Sequence, residues 1–163
     1  MSARRETPLP PERSGTGLDY LQRIVSGEYP QVPIGDTLGF RITEVSEGRV
    51  VLVGNPDLRS FNLIGTVHGG WAASILDTAM ALAAMSTIDE DNRHTTLDIR
   101  INYLRPITLG TGKVRAEGTV IQGGRRVAYC EGRLTDAAGK LLSHGTSSCL
   151  IFPKPQSSNG NPT

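Results

Sequence analysis

Cysteine is scarce: the 163 residues hold two, Cys130 and Cys149, 19 apart and with no CxxC pair or paired histidine, which fits neither a zinc site nor a disulfide framework. A reducing cytoplasm is the expected compartment. No apolar run is long enough for a membrane span, since the longest, Trp71 to Met85, has fifteen residues and contains Asp77. The N-terminus, Met1 to Pro11, lacks the apolar segment of a secretory signal, so no export is expected and the chain should be soluble. Charge of one sign is missing too: 17 Lys and Arg against 16 Asp and Glu leave +1, with no run that would neutralise a phosphate backbone, which argues against nucleic-acid binding. What is present is an ordinary share of apolar residues, 37%, in a length suited to a single core.

The proline-rich residues 1–16 and the polar residues 153–163 read as tails that bury little, flexible at the N-terminus and disordered at the C-terminus. Residues 17–33 form a leading unit in which Leu18, Leu21, Ile24 and Val25 have helical spacing, with Gly27 and Pro30 to end the helix. In residues 34–152, Leu38 to Val45 and Arg49 to Val53 suggest a hairpin turning at Ser46 to Gly48. Trp71 to Met85 has no Gly or Pro, predicts a long helix, and is apolar nearly all round, so it should be buried on most sides. Leu97, Ile99, Ile101 and Tyr103 alternate with polar residues as in a half-buried strand. Val114 to Val120, Val127 to Thr135 and Leu141 to Phe152 follow, separated by Gly123-Gly124 and by Asp136 to Gly139. The pattern predicts an α+β fold, with about six antiparallel strands, the last four in a meander, curved around one central helix in the hotdog manner.

Asp77 is the only ionisable residue between Trp71 and Ile88. A carboxylate in such a helix is costly unless partnered or functional, so Asp77 either serves chemistry, faces a solvated groove, or bonds a donor in the sheet. Gly69-Gly70 stands where that helix begins and its N–H groups lack helical partners. It is either a simple turn or a place where backbone amides polarise a carbonyl oxygen. His68 and Asn62 precede it and can reach the same mouth, as capping residues or as part of a polar cluster with Asp77. Arg105, before Pro106, and Arg125 with Arg126, after the Gly123-Gly124 turn, are either solvated charges or phosphate contacts. His94 reads as a surface residue, His144 as structural, and the two cysteines as small core residues.

The run Asn62-Leu-Ile-Gly-Thr-Val-His68-Gly-Gly, with Asp77 seven residues after Gly70, resembles the signature of the PaaI-like hotdog acyl-CoA thioesterases. The likeness extends over roughly residues 34 to 152, including Tyr103-Leu-Arg-Pro-Ile-Thr-Leu-Gly110 and the Gly-rich turn before Arg125. It implies hydrolysis of acyl-CoA, with Asp77 as nucleophile or general base and Gly70 as the amide on the thioester carbonyl. Asn62 and His68 would place water and shape the loop, and Thr96 would orient the water. Arg105, Arg125 and Arg126 would meet the nucleotide end of coenzyme A, which is part of the substrate, so neither a metal nor a separate cofactor is expected. The alternative is a non-catalytic acyl-CoA binding or sensing module on the same fold. A hydratase, which would usually place Asp and His five residues apart on one helix-loop segment, fits less well, because His68 precedes Asp77 by nine and no histidine follows it on that segment. Seven residues along a helix are about 10 Å, too far for Gly70 and Asp77 of one chain to act on one carbon. A homodimer or homotetramer with shared sites is therefore expected.

Overall fold

A computed structural model of the chain describes residues 11–155. The predicted tails fall mostly outside the described residues, at 1–10 and 156–163. Residues 11–16, predicted as part of a free tail, are instead tied down. Tyr20 donates its hydroxyl to the Pro11 carbonyl at 2.9 Å, the Arg13 guanidinium bonds the carbonyls of Asp89 and Asn92, and Lys154 pairs with Glu12.

Helix α1 (Gly17–Ser26) starts at a capping box in which Thr16 and Asp19 exchange side-chain to backbone bonds, and it ends at Gly27. Gly27 has φ +84°, a left-handed conformation that glycine adopts without a Cβ clash. The helix buries Tyr20, Leu21 and Ile24, while Val25, predicted to face inward, is 38% exposed. A short helix not read from the sequence, α2 (Pro33–Leu38), then leads into strands β1 (Phe40–Ser46) and β2 (Arg49–Gly54). Proline at its first position fits a helix start, where no N–H is needed.

The long helix α3 (Gly69–Met85) precedes β3 (Asn92–Tyr103), β4 (Val114–Gly123), β5 (Val127–Asp136) and β6 (Leu141–Pro153). All six strands form one antiparallel sheet in the order β1-β2-β4-β5-β6-β3. The fold is the hotdog arrangement expected, but its last four strands are not a simple meander. Only β4, β5 and β6 follow one another, and β3 lies beyond β6 at the edge. The physical reason is the connection at residues 104–113, which contains Arg105-Pro106 and is too long and irregular for a hairpin turn.

Trp71, Ile75, Leu76, Ala79, Met80 and Ala83 of α3 fill the concave face of the sheet. The approach is close enough that a Cβ on Gly118 of β4 would lie 2.3 Å from the Ala79 carbonyl, so a side chain there would push helix and sheet apart. One stripe of α3 stays uncovered in the single chain: Ala73, Ser74, Asp77, Thr78, Ala81 and Leu82 are half-buried. Strand β3 also departs from expectation. A bulge between Thr96 and Asp98 leaves Leu97 without a pairing partner, and the strand has a neighbour on one side only. Leu97 and Tyr103 are each 56% exposed rather than half-buried. Among the described residues no helix is long and apolar enough to cross a membrane.

Candidate active site

The loop before α3 is built around Asn62. Its carboxamide oxygen accepts the N–H groups of Ile64 and Thr66, and its Nδ2 donates to Thr66 Oγ1 at 2.9 Å. One Nδ2 hydrogen remains unspent, so Asn62 is first a loop brace and has a single donor left for a ligand. The chain then reaches His68, whose backbone N–H donates to the Ser60 carbonyl at 2.7 Å. His68 is the N-cap of α3, and its Nδ1 accepts the Gly70 N–H at 2.9 Å. That bond places the ring proton on Nε2.

The capping bond changes which amide is open. The Gly70 N–H, expected to polarise the substrate carbonyl, is engaged by His68 within the chain. The Gly69 N–H, at the first helical position, has no partner among the described residues. Gly69, Asn62, Tyr103 and Arg105 line one cavity of about 340 Å³, with the Tyr103 hydroxyl donating to the Gly69 carbonyl at 3.0 Å. His68, Gly70, Trp71 and Ser74 line a second cavity of about 500 Å³ with Phe61 and Arg59. In the sequence Gly69 reads only as half of the Gly-Gly pair and Tyr103 only as a strand residue opening the Tyr103 to Gly110 run, neither with a role of its own; nothing marks Arg59.

Asp77 sits mid-helix on the uncovered stripe, half-buried, and Thr96 of β3 donates its hydroxyl to Asp77 Oδ1 at 3.0 Å. Thr96, given a water-orienting role by the resemblance, is thus bonded to the Asp77 carboxylate itself, 19 positions away. The other hydroxyls of the stripe are turned inward: Ser74 donates to the Gly70 carbonyl and Thr78 to the Ser74 carbonyl, each at 2.8 Å. Asp77 is therefore the chemically available group of that face. It lies about 12 Å from Gly69 at the rise of an α-helix, and one chain does not bring the two together.

The arginines separate. Arg105 stands near Gly69 and donates to the Leu141 carbonyl at 2.5 Å. Arg125 lines a cleft with Thr87, Asp89 and Asn92 at the far end of α3, with Arg126 beside it on the β4–β5 turn. His94, predicted as surface, faces inward on β3 opposite Ile151. Burial, and secondarily the charge of Arg13, push its pKa down to about 4. Among the described residues no group of three His, Cys, Asp or Glu side chains is placed to hold a metal ion.

The profile of the thioesterase superfamily matches residues 64–143. Acyl-coenzyme A thioesterase 13 of Homo sapiens is 32% identical over 108 residues, which cover 64% of this chain and 76% of that protein. The 1,4-dihydroxy-2-naphthoyl-CoA hydrolase of Listeria monocytogenes is 28% identical over 119 residues, 73% of this chain and 94% of that one. A mutant structure of the phenylacetic acid degradation protein PaaI from Thermus thermophilus is 27% identical with a TM-score of 0.67, covering 73% of this chain and 98% of the other.

Proposed function

Because the chain belongs to the thioesterase superfamily, with PaaI-like relatives, we propose that this thioester hydrolase acts on acyl-CoA at sites that two chains build together. The observation that carries the reading is Asp77. It is the one ionisable side chain of α3, lies on the open stripe, and holds a hydroxyl donor from Thr96. A thioester needs a nucleophile or base on one side and a polarised carbonyl on the other, and its thiolate leaves without a strong general acid. The free Gly69 amide, supported by the positive end of α3 and by the spare hydrogen of Asn62, suits the carbonyl oxygen. His68 holds the neighbouring Gly70 amide and so fixes the turn. Asp77 attacks the carbonyl carbon or takes a proton from water, with Thr96 aligning its carboxylate.

Shared sites are supported by what the single chain leaves open. The edge strand β3 has a free side and exposes Leu97, Leu104 is exposed just past its end, and Leu63 and Ile64 are exposed on the loop before α3. A second copy facing the open stripe of α3 would cover that surface and bring its Asp77 to the Gly69 end of the first. The test is release of coenzyme A from a panel of acyl-CoA substrates by wild type and by Asp77→Asn. The expected result is turnover by wild type and a loss of about 10²- to 10⁴-fold in the variant, the span for a positioned acid-base group. Binding without turnover by wild type would favour the acyl-CoA binding module instead.

A further inference from the structure

Beneath Asp77 the sheet presents a compact polar layer. Thr96 and Cys149 are direct partners across β3 and β6, and Cys149 is fully buried on the face toward α3. Cys130 of β5, also buried, stands diagonally to it, opposite Ser147. The hydrogens in this layer can be counted. Thr96 spends its hydroxyl hydrogen on Asp77 Oδ1 at 3.0 Å, and Ser147 spends its own on the Asp98 carbonyl at 2.9 Å. Both hydroxyl oxygens then have only lone pairs left, and the remaining side-chain hydrogens among these four residues are those of the two thiols.

We propose that Cys149 is a positioning residue for Asp77: its S–H donates to the Thr96 hydroxyl oxygen and so keeps the Thr96 hydrogen aimed at the carboxylate. The inference rests on the reading of Asp77 as the reacting carboxylate. It assigns to a buried thiol a directional task that packing alone would not require, since a methyl or isopropyl group fills the same space without a donor. The hydrogen bond between the two thiols and burial push the Cys130 thiol far up, so it stays protonated. The Cys130 hydrogen bond, with the Ser147 and Thr96 hydroxyls beside the sulfur, holds the Cys149 thiol below its ordinary value, against burial and the Asp77 charge. The titratable groups facing Asp77 from the sheet are these two cysteines, with His94 next along β3; β2 and β4 meet α3 with Val50, Leu52, Val114 and Ala116, and α1 adds Tyr20.

Steady-state hydrolysis of an acyl-CoA that wild type turns over, measured from the acid limit to neutral pH, tests the proposal on Cys149→Val, Cys149→Ala, Cys149→Ser and Asp77→Asn. Loss of the S–H should lower kcat by about three- to tenfold in the Val and Ala variants, roughly what a hydrogen bond between neutral groups is worth, with KM nearly unchanged. The acid limb of kcat/KM should move upward, because a carboxylate whose donor is no longer held in line is easier to protonate. Cys149→Ser, which keeps an O–H, should restore both. If one of these variants does not fold, as judged by circular dichroism, the other carries the comparison. An unmoved acid limb in a folded Val or Ala variant, alongside an inactive Asp77→Asn, overturns the role of Cys149 and leaves that of Asp77 standing. Full activity in Asp77→Asn overturns both.

Discussion

Two adjacent glycine amides differ in what they have left to give, and the difference is decided by one imidazole nitrogen. Gly70 donates to His68 Nδ1, and Gly69 donates to nothing among the described residues. The choice between them is open to a simple substitution, because His68 has φ −60° and ψ 137°, a conformation compatible with a following proline. Proline at the first helical position is also favoured. Gly69→Pro should fold and lose about 10²- to 10³-fold in kcat, the effect of deleting one oxyanion donor. Gly69→Ala keeps the N–H and adds a Cβ 3.1 Å from the Tyr103 ring, so it reports crowding alone. Gly70→Pro should lose only the His68 cap; if it is instead the inactive variant, the donor is Gly70. The sequence made the His-Gly-Gly turn legible through its missing side chains and Asp77 through its charge in an apolar helix. Which glycine is free depends on where a histidine ring turns, and no spacing encodes that. His94 makes the same point, since β-strand alternation did not reveal that the fold would desolvate it and set the Arg13 charge nearby. Its pKa of about 4 in the fold lies below the ordinary 6.5 of an unfolded histidine. Between those values the unfolded chain binds more protons, so stability is complete above about pH 6.5 and falls as the pH drops toward 4. The contribution is at most about 3 kcal/mol. Denaturant melts from pH 7 to 4 should show this slope, and His94→Gln should flatten it; an equal slope in the variant would assign it to carboxylates.

At the level of elements, the functional property is which side of α3 the sheet leaves open. Composition showed a buried helix correctly, because nine of its residues are buried. It did not show the uncovered stripe, because Ala73, Ala81 and Leu82 look no different in sequence from the core residues beside them. Strand β3 was read as a strand and its edge position was missed, since adjacency in a sheet follows connection geometry and not chain order. That placement matters for the arginines. If Gly69 of one copy faces Asp77 of another, the two helices run antiparallel, and the C-terminal end of the second α3 extends about 12 Å past that Gly69. Arg125 and Arg126 stand at the C-terminal end of α3, so they fall on the outer side of the site that contains their own Asp77. Replacing both by Ala should raise KM for acyl-CoA and leave acyl-pantetheine substrates, which lack the nucleotide phosphates, nearly unaffected. Equal losses on both substrates would make the pair structural.

On the proposed reading, one whole molecule supplies half of each site. Its net charge of +1 puts little long-range repulsion between copies, and the free side of β3 offers a second copy unpaired backbone groups beside exposed apolar side chains. A carbonyl carbon must have its oxyanion donor at about 3 Å and its attacking group at about 3 to 3.5 Å, which the spacing of Gly69 and Asp77 along one helix forbids. In the proposed dimer, two-fold symmetry would then make two sites, each with Gly69 from one chain and Asp77 from the other. Mixing inactive variants tests this directly. In a dimer of Asp77→Asn with Gly69→Pro, one site receives both defects and the other receives neither. Half of randomly reassembled dimers are mixed and each has one working site of two, so about a quarter of wild-type activity should return on subunit exchange. If each variant is folded and native mass spectrometry shows mixed dimers, yet no activity reappears, then each chain carries its own complete site and the shared arrangement is wrong.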